Sequence, residues 1–222
     1  MQPIVLPGSD PEANRAEELR LFEAARSTPA PLCLFYCNSP CVVVGRNNRL
    51  EQWVDVAACE HDAIPVLRRF SGGGAVFHNQ DVLTYSFIAP RLQVDQLARQ
   101  IGPTMLANKY IALFIGLLVR ALGRVAPGFE PARTSDVNLN GLKVSGNAQR
   151  IASQLVLHHG TLMLRCPLSQ IERYLPIPPD RPGVSHADFI TGLSEQGVEA
   201  SQAELREALA AEFFAVFGGP PA

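Results

Sequence analysis

The sequence predicts a mixed α+β fold, a largely antiparallel β-sheet flanked by helices. Strand-like segments crowd the middle of the chain, with helical patterns at both ends. Asn140-Gly141 lies between two apolar stretches, the strongest short hairpin signal. No internal repeat and no strong linker divides the 222 residues, so one domain over residues 1–222 is expected.

The elements follow in order. Pro11 to Arg26 reads as an amphipathic helix, with Asp10 as N-cap, Pro11 at the first helical position, and Leu19, Phe22 and Ala25 on one face. Pro29 and Pro31 end it. Leu32 to Cys37 and Cys41 to Val44 read as short strands around the turn Asn38-Ser39-Pro40. After the loop Gly45 to Asn48, Trp53 to His61 suits a helix and Ile64 to Leu67 a strand. The triplet Gly72 to Gly74 breaks the pattern, and strand character resumes over Ala75 to His78 and Leu83 to Ala89.

Leu97 to Leu122 carries one or more helices, interrupted near Gly102-Pro103. Val137 to Leu139 and Leu142 to Val144 form the expected hairpin, and Gln154 to Leu164 another strand. Pro167 to Tyr174 reads as a short helix, and the proline-rich Leu175 to Val184 as an exposed loop. Ser201 with Glu204 caps a last helix through Phe217, and Gly218 to Ala222 is expected to fray.

Composition narrows the function classes. Hydrophobic residues make up 47% of the chain, enough for a substantial core. A net charge of -2 disfavours a generally basic, nucleic-acid-binding surface. The longest apolar run, Tyr110 to Val119, is shorter than a membrane span, and Met1 to Pro7 lacks signal-peptide character. A soluble, cytoplasmic protein is expected. The five cysteines, an odd number, do not form a disulfide framework. Cys33, Cys37 and Cys41 match no common zinc spacing and read as buried thiols.

Three stretches carry the chemistry. In Arg68-Arg-Phe-Ser-Gly-Gly-Gly-Ala-Val-Phe-His78, the glycines expose backbone N–H groups, and the arginines offer forked donors suited to phosphate. The alternative is a glycine-rich bulge with solvated arginines. On the hairpin, Lys143 lies two residues past Asn140-Gly141 and projects from a stiff scaffold, beside the small polar run Ser145-Gly146-Asn147. A cation there can neutralise charge developing during nucleotidyl transfer, and Asp136 can bind Mg²⁺ or fix a hydroxyl. A surface lysine and a turn-flanking aspartate is the plainer reading. In His158-His-Gly-Thr161, adjacent histidines on a strand face opposite sides, so one can enter a site while the other is structural.

Together and in order, these stretches, with Tyr85-Ser-Phe87 and Val42-Val-Val-Gly-Arg-Asn-Asn48, resemble the lipoate–protein ligase A family, within the wider group of biotin and lipoate protein ligases and octanoyltransferases. The resemblance covers roughly residues 10 to 215. It implies a class II biotin/lipoate ligase-like catalytic domain. In it, a C8 acyl tail would lie on apolar strands with its carboxylate at Lys143. ATP and Mg²⁺ would convert lipoate to lipoyl-AMP. The acyl group would then pass to a lysine of an apo lipoyl domain of a 2-oxoacid dehydrogenase E2 subunit, or of the glycine-cleavage H protein.

The resemblance makes Lys143 catalytic and Asp136 a substrate or Mg²⁺ residue. It places Arg69, Ser71, Gly72, Gly73, Gly74, Ala75, Val76 and His78 around the adenylate and tail, with Ser145, Gly146, His159 and Gly160 completing the pocket. Related octanoyltransferases use a cysteine nucleophile. Here Gly128 to Ser135 and Ile151 to Leu157 contain none, which favours an adenylate over a thioester. After His78 the family often shows an aspartate, where this chain has Asn79-Gln80-Asp81-Val82. A C-terminal accessory domain is expected to be missing, so that activation would need a separate partner protein or the chain would transfer preformed lipoyl-adenylate. An acyltransferase drawing on an acyl carrier and a non-catalytic lipoate-binding module are the alternatives.

Overall fold

The structure is a computed structural model and describes residues 1–179 and 181–218. The Asp10 carboxylate accepts from the Ala13 N–H and starts helix α1 (Pro11–Ala24), with Pro11 in its first turn. Strand β1 (Ile4–Val5) pairs parallel to β2 (Leu32–Cys37), and β2 pairs antiparallel to β6 (Val82–Pro90). The sheet continues through β10 (Leu155–Met163), β9 (Leu142–Ile151), β8 (Asp136–Leu139) and β7 (Phe129–Ala132), all antiparallel. A smaller sheet orders β4 (Val66–Arg68), β3 (Cys41–Val44) and β5 (Ala75–His78). The expected mixed, largely antiparallel sheet with flanking helices is the observed one.

Period-two alternation divides the large sheet into two faces. Leu83, Tyr85, Phe87 and Ala89 of β6 join the core under α4 (Lys109–Gly123) and α6 (Gln202–Phe217), where Phe87, Phe114, Phe213 and Phe217 stack. Thr84, Ser86 and Ile88 alternate to the opposite face. There Ile88 meets Phe22 of α1, together with Leu155 and Leu157. The small sheet packs with α2 (Val56–His61) and α5 (Leu168–Tyr174) in a separate apolar cluster.

The hairpin forms as read. Asn140 and Gly141 have φ of 52° and 84°, the left-handed pair a type I′ turn requires. Ser201 and Glu204 build the full capping box of α6. Gly218 is the C-cap residue, and the rest of the expected frayed end lies outside the described residues.

Several expectations shift. Leu97–Leu122, read as one or more helices interrupted near Gly102-Pro103, is interrupted there: it holds the end of α3 (Arg91–Ala98), which starts six residues earlier than read, and α4, which starts where the Asn108 side chain accepts from the Ile111 N–H. The helix read from Trp53 starts at Val56, because Asp55 caps it through the Ala58 N–H. β9 extends to Ile151 through a polar run of weak strand propensity, since β10 pairs with it as far as Ile151, while β8 pairs with it up to Gly146. β7, missed in the sequence, contains Pro131 and lies at a sheet edge, where proline is tolerated. Phe22 and Ala25 are buried as read, but the stripe runs through Pro11, Asn14 and Glu18 rather than Leu19, because the helix packs over polar groups of the sheet.

Candidate functional site

The two sheets enclose a cavity of about 500 Å³. Its floor is one row of residues paired across five strands. Tyr36 of β2 is in register with Thr84 of β6, Thr84 with Thr161 of β10, Thr161 with Gly146 of β9, and Gly146 with Asp136 of β8. All five line the cavity, and a second row contributes His159 and Ala148. Val43, Leu67 and Val76, in register on one face of the small sheet, form the opposite wall. The cavity is therefore mixed in character: the floor row carries hydroxyls and a carboxylate, while Val82 and Met163 of the same strands and the small-sheet wall are apolar.

Lys143 reaches this face because of a bulge. Asn138 pairs with Lys143 and Val137 with Ser145, which leaves Val144 as an extra residue on β9. Without it, alternation would put Lys143 on the same face as Ser145, which bonds the core tyrosine Tyr85. With it, Lys143 shares the side of Gly146. Its Nζ lies 2.8 Å from Asp136 Oδ1. A side chain at position 146 would begin 2.9 Å from that ammonium, so Gly146 makes room for it. Arg181 binds Asp136 Oδ2 at 3.0 Å and lies over the Phe189 ring, 4.0 Å from its centroid. The backbone of Lys143 is fixed from the other side, its N–H donating to Phe189 and its carbonyl accepting from Thr191.

The glycine loop closes the cavity differently from expectation. Arg68 Nη1 donates to the carbonyls of Gly45, Arg46 and Asn48, at 2.8, 3.0 and 2.9 Å. Arg69 donates to Ser71 Oγ and to the carbonyls of Gly72, Gly74 and Val43. The two guanidinium groups thus hold the loop in shape, although Arg69 still lines the cavity. Burial lowers the Arg69 pKa to about 10, which leaves it charged at neutral pH. Gly73 has φ of 88°, and the backbone N–H groups of Ser71 to Gly74 find no acceptor within the protein among the described residues. Of these, Gly73 and Gly74 line the cavity, and their N–H groups are the donors open to an anion there.

His158 and His159 point to opposite faces, as alternation requires. His158 stacks on Phe114 at 4.8 Å in the core and bonds Gln149 and Asn147. His159 lines the cavity, with Nε2 2.5 Å from Ser71 Oγ and Nδ1 2.9 Å from Glu18 Oε1. Burial pushes the Glu18 pKa up, but the His159 charge and hydrogen bonds from His159 and Ser86 outweigh it and hold Glu18 below the usual carboxylate value. This chain of contacts ties the glycine loop to β10 and α1.

Of the anticipated residues, Lys143, Arg69, Gly73, Gly74, Ala75, Val76, His78, Asp136, Gly146, His159 and Gly160 line the cavity. Ser71, Gly72 and Ser145 do not. Ser71 and Ser145 lie one layer behind, bonded to His159 and Tyr85. Sequence reasoning missed Glu18, Tyr36, Trp53, Thr84 and Arg181. The i, i+4 spacing of Asn14, Glu18 and Phe22, two polar residues in line with a buried phenylalanine, was the available signal for the first. The proline-rich segment is the exposed loop it was read as over most of its described residues, and it also walls the site, with Pro176, Pro178 and Arg181 against the cavity. All five cysteines are free, none lines the cavity, and burial raises the thiols, to about 12 for Cys41 and about 11 for Cys166.

Burial lowers His78 and His158 to about 3 each, so both are neutral in the folded chain at ordinary pH. Unfolded, they take up protons near pH 6.5. Between about pH 6.5 and 3 the unfolded state therefore binds more protons, and stability must fall as pH falls. Each site contributes at most about 1.4 kcal/mol per pH unit over that window. Denaturant titrations at pH 7, 6 and 5 are expected to show this loss, with a shallower slope in His158→Gln. A flat stability profile from pH 7 to 5 contradicts the assignment.

Among the described residues, five cations (Arg15, Arg69, Arg133, Lys143 and Arg181) and two acids (Glu18 and Asp136) line the cavity of a chain whose net charge is -2. Fold and site thus define an α+β domain with a cationic cleft between two sheets. The chain belongs to the lipoyl protein ligase A/B catalytic domain family, whose model matches residues 10–214. It is 30% identical over 181 residues to a probable lipoate-protein ligase A of Mycoplasma genitalium, covering 78% of this chain and 49% of that protein. Among solved structures, it superposes on a bi-partite lipoate protein ligase from an archaeal lipoylation system of Thermoplasma acidophilum, described with its E2 lipoyl domain. The TM-score is 0.78 at 21% identity, over 98% of this chain and 84% of that one. A lipoate-protein ligase A crystallised with ATP gives 0.75 at 20%, over 98% and 86%. At such identities the structural likeness is one of fold. The chain spans about half or less of the length of the curated relatives it matches.

Proposed function

We propose that the described residues act as one catalytic unit of a lipoate–protein ligase, which forms lipoyl-AMP from lipoate and ATP, transfers the lipoyl group to a lysine of an acceptor protein, or does both. The observation that carries this reading is the Lys143 ammonium, set over Gly146 in the same cavity that the glycine loop closes. A carboxylate must become a mixed anhydride before an amine attacks it. A fixed cation at the carboxylate and α-phosphate stabilises charge as it moves between them, and unpaired loop N–H groups can hold phosphate oxygens. The names of the relatives, the ATP-bound neighbour and the neighbour described with an E2 lipoyl domain support ATP as co-substrate and lipoyl domains as acceptors. The H protein and a separate accessory protein remain within the proposal.

Mg²⁺ does not fit as a protein-held ion here. Both Asp136 oxygens are engaged by cations, and no cluster of three His, Cys, Asp or Glu suited to a metal occurs among the described residues. An ion arriving on a triphosphate would need no such cage. A cysteine thioester route lacks support, since no thiol lines the cavity. No helix among the described residues is long and apolar enough to cross a membrane. Five unpaired cysteines favour a reducing, cytoplasmic setting.

The test is intact-mass analysis of an apo lipoyl domain incubated with the chain and one of three donors: lipoate with ATP and Mg²⁺, preformed lipoyl-adenylate, or octanoyl acyl carrier protein. Lipoylation from the adenylate is the expected result, with or without the first donor. Failure of both lipoyl donors rules the ligase out, and acylation from the carrier alone makes the chain an acyltransferase.

A further inference from the structure

The floor row ends at Tyr36, three strands away from Gly146, above which the Lys143 ammonium rests. At about 4.8 Å per strand, the two ends of the row lie roughly 14 Å apart. An extended eight-carbon acyl chain spans roughly 9 Å from carboxyl to terminal carbon, from bonds of about 1.5 Å. The carboxylate–ammonium contact and the tyrosine side chain fill the remainder. An acid anchored at Lys143 and laid along this row therefore brings its far end to Tyr36.

That end of the cavity is not apolar. Tyr36 is 7% exposed and His78 4%, and both line the cavity. Thr84 joins them, in register with Tyr36 and hydrogen-bonded to His78 Nδ1 at 3.3 Å. The proton positions follow from the network. Asn14 Nδ2 donates to Asn38 Oδ1, so the amide nitrogen of Asn38 faces His78 Nδ1 at 3.1 Å and donates to it. Nδ1 is thus the acceptor, and in the neutral ring Nε2 carries the hydrogen. Neither that N–H nor the Tyr36 hydroxyl has an acceptor in the protein among the described residues. Both donors face the cavity, where water satisfies them while this end is open, and neither is a sealed, unpaired atom. A tail that fills this end displaces that water and loses affinity unless it brings an acceptor of its own.

We propose that Tyr36 and His78 form a tail-end subsite that reads a lone pair, oxygen or sulfur, near the distal end of a medium-chain acyl acid. The cavity then selects such acids over a saturated chain of the same length. This rests on the acyl-acid reading above, and it names the class of acid.

Calorimetric titration of the full chain with octanoate, 7-oxooctanoate and lipoate, without nucleotide or acceptor, tests it. Wild type is expected to bind 7-oxooctanoate and lipoate roughly three- to tenfold more tightly than octanoate, the size of one or two neutral hydrogen bonds. In Tyr36→Phe the ratio is expected to fall towards one. Octanoate bound by wild type as tightly as 7-oxooctanoate overturns the subsite. So does a preference that survives in Tyr36→Phe, or the absence of binding by all three acids. Transfer is measured separately. A preference intact without transfer sinks the ligase reading and spares the subsite, whereas transfer without preference does the reverse.

Discussion

Lys143→Ala is expected to slow lipoyl transfer from preformed lipoyl-adenylate by roughly 10²- to 10³-fold, the size of loss seen when one charge-stabilising donor is removed from a closed site. The fold is expected to survive. Lys143 Nζ pairs with Asp136 Oδ1, but Arg181 holds the other oxygen, so the carboxylate keeps a cation when the lysine is removed. No buried charge is then left uncompensated, which is the usual source of large destabilisation at such sites. Single-turnover kinetics by intact mass, with a thermal melt of the same preparation, checks both parts. Transfer at the wild-type rate would remove Lys143 from the chemistry, and a collapsed melt would make its role structural. Lys143→Arg should recover little, because a guanidinium is bulkier and forked where the space over Gly146 admits a compact ammonium.

The largest stability effect is expected at Gly160. A Cβ there would lie 2.5 Å from Asn147 Oδ1, 2.5 Å from the Tyr85 hydroxyl and 2.8 Å from the Gly146 carbonyl oxygen. These atoms cannot yield easily. Asn147 is held by His158 and the Ser135 carbonyl, Tyr85 is 1% exposed and bonded to Ser145, and Gly146 belongs to a paired central strand. Gly160→Ala is therefore expected to cost roughly 2 kcal/mol or more, in the range of overpacked cores. It should also weaken acyl-acid binding, since β9 and β10 carry the cavity floor. Denaturant unfolding measures the first effect and titration with lipoate the second. A variant as stable as wild type would mean that the Tyr85–Asn147 network is soft. Gly72→Ala is the matched control, because a Cβ there meets nothing within 4 Å.

How much of this was legible in the sequence depends on the range of the interaction that decides each feature. The Asn140-Gly141 turn, the Asp10 and Ser201 caps and the opposite orientation of His158 and His159 depend on one to four neighbouring residues, and each was read correctly. The glycine loop was recognised, but its arginines were assigned to the ligand. Within the protein, Arg69 binds mostly its own loop at Ser71, Gly72 and Gly74 and still lines the cavity, whereas Arg68 binds the carbonyls of Gly45, Arg46 and Asn48, some twenty residues away, which no local pattern marks. The polar floor escaped for the same reason. Tyr36, Thr84, Thr161, Gly146 and Asp136 form a row only because five strands pair in one particular register.

By itself the sequence determined much of the inventory: the capped helices α1 and α6, the hairpin and the central strands, and that a lysine follows a tight turn while glycines follow two arginines. Turn chemistry, capping and alternation are short-range physics, so composition along the chain is enough to state them. Tertiary structure alone decided where those groups meet. The extra residue at Val144 turns Lys143 from the core face to the cavity, and Glu18 reaches His159 across 141 positions of chain. Strand pairing and helix packing fix such contacts through burial of surfaces far apart in sequence, and a site built from them exists only once the chain has folded.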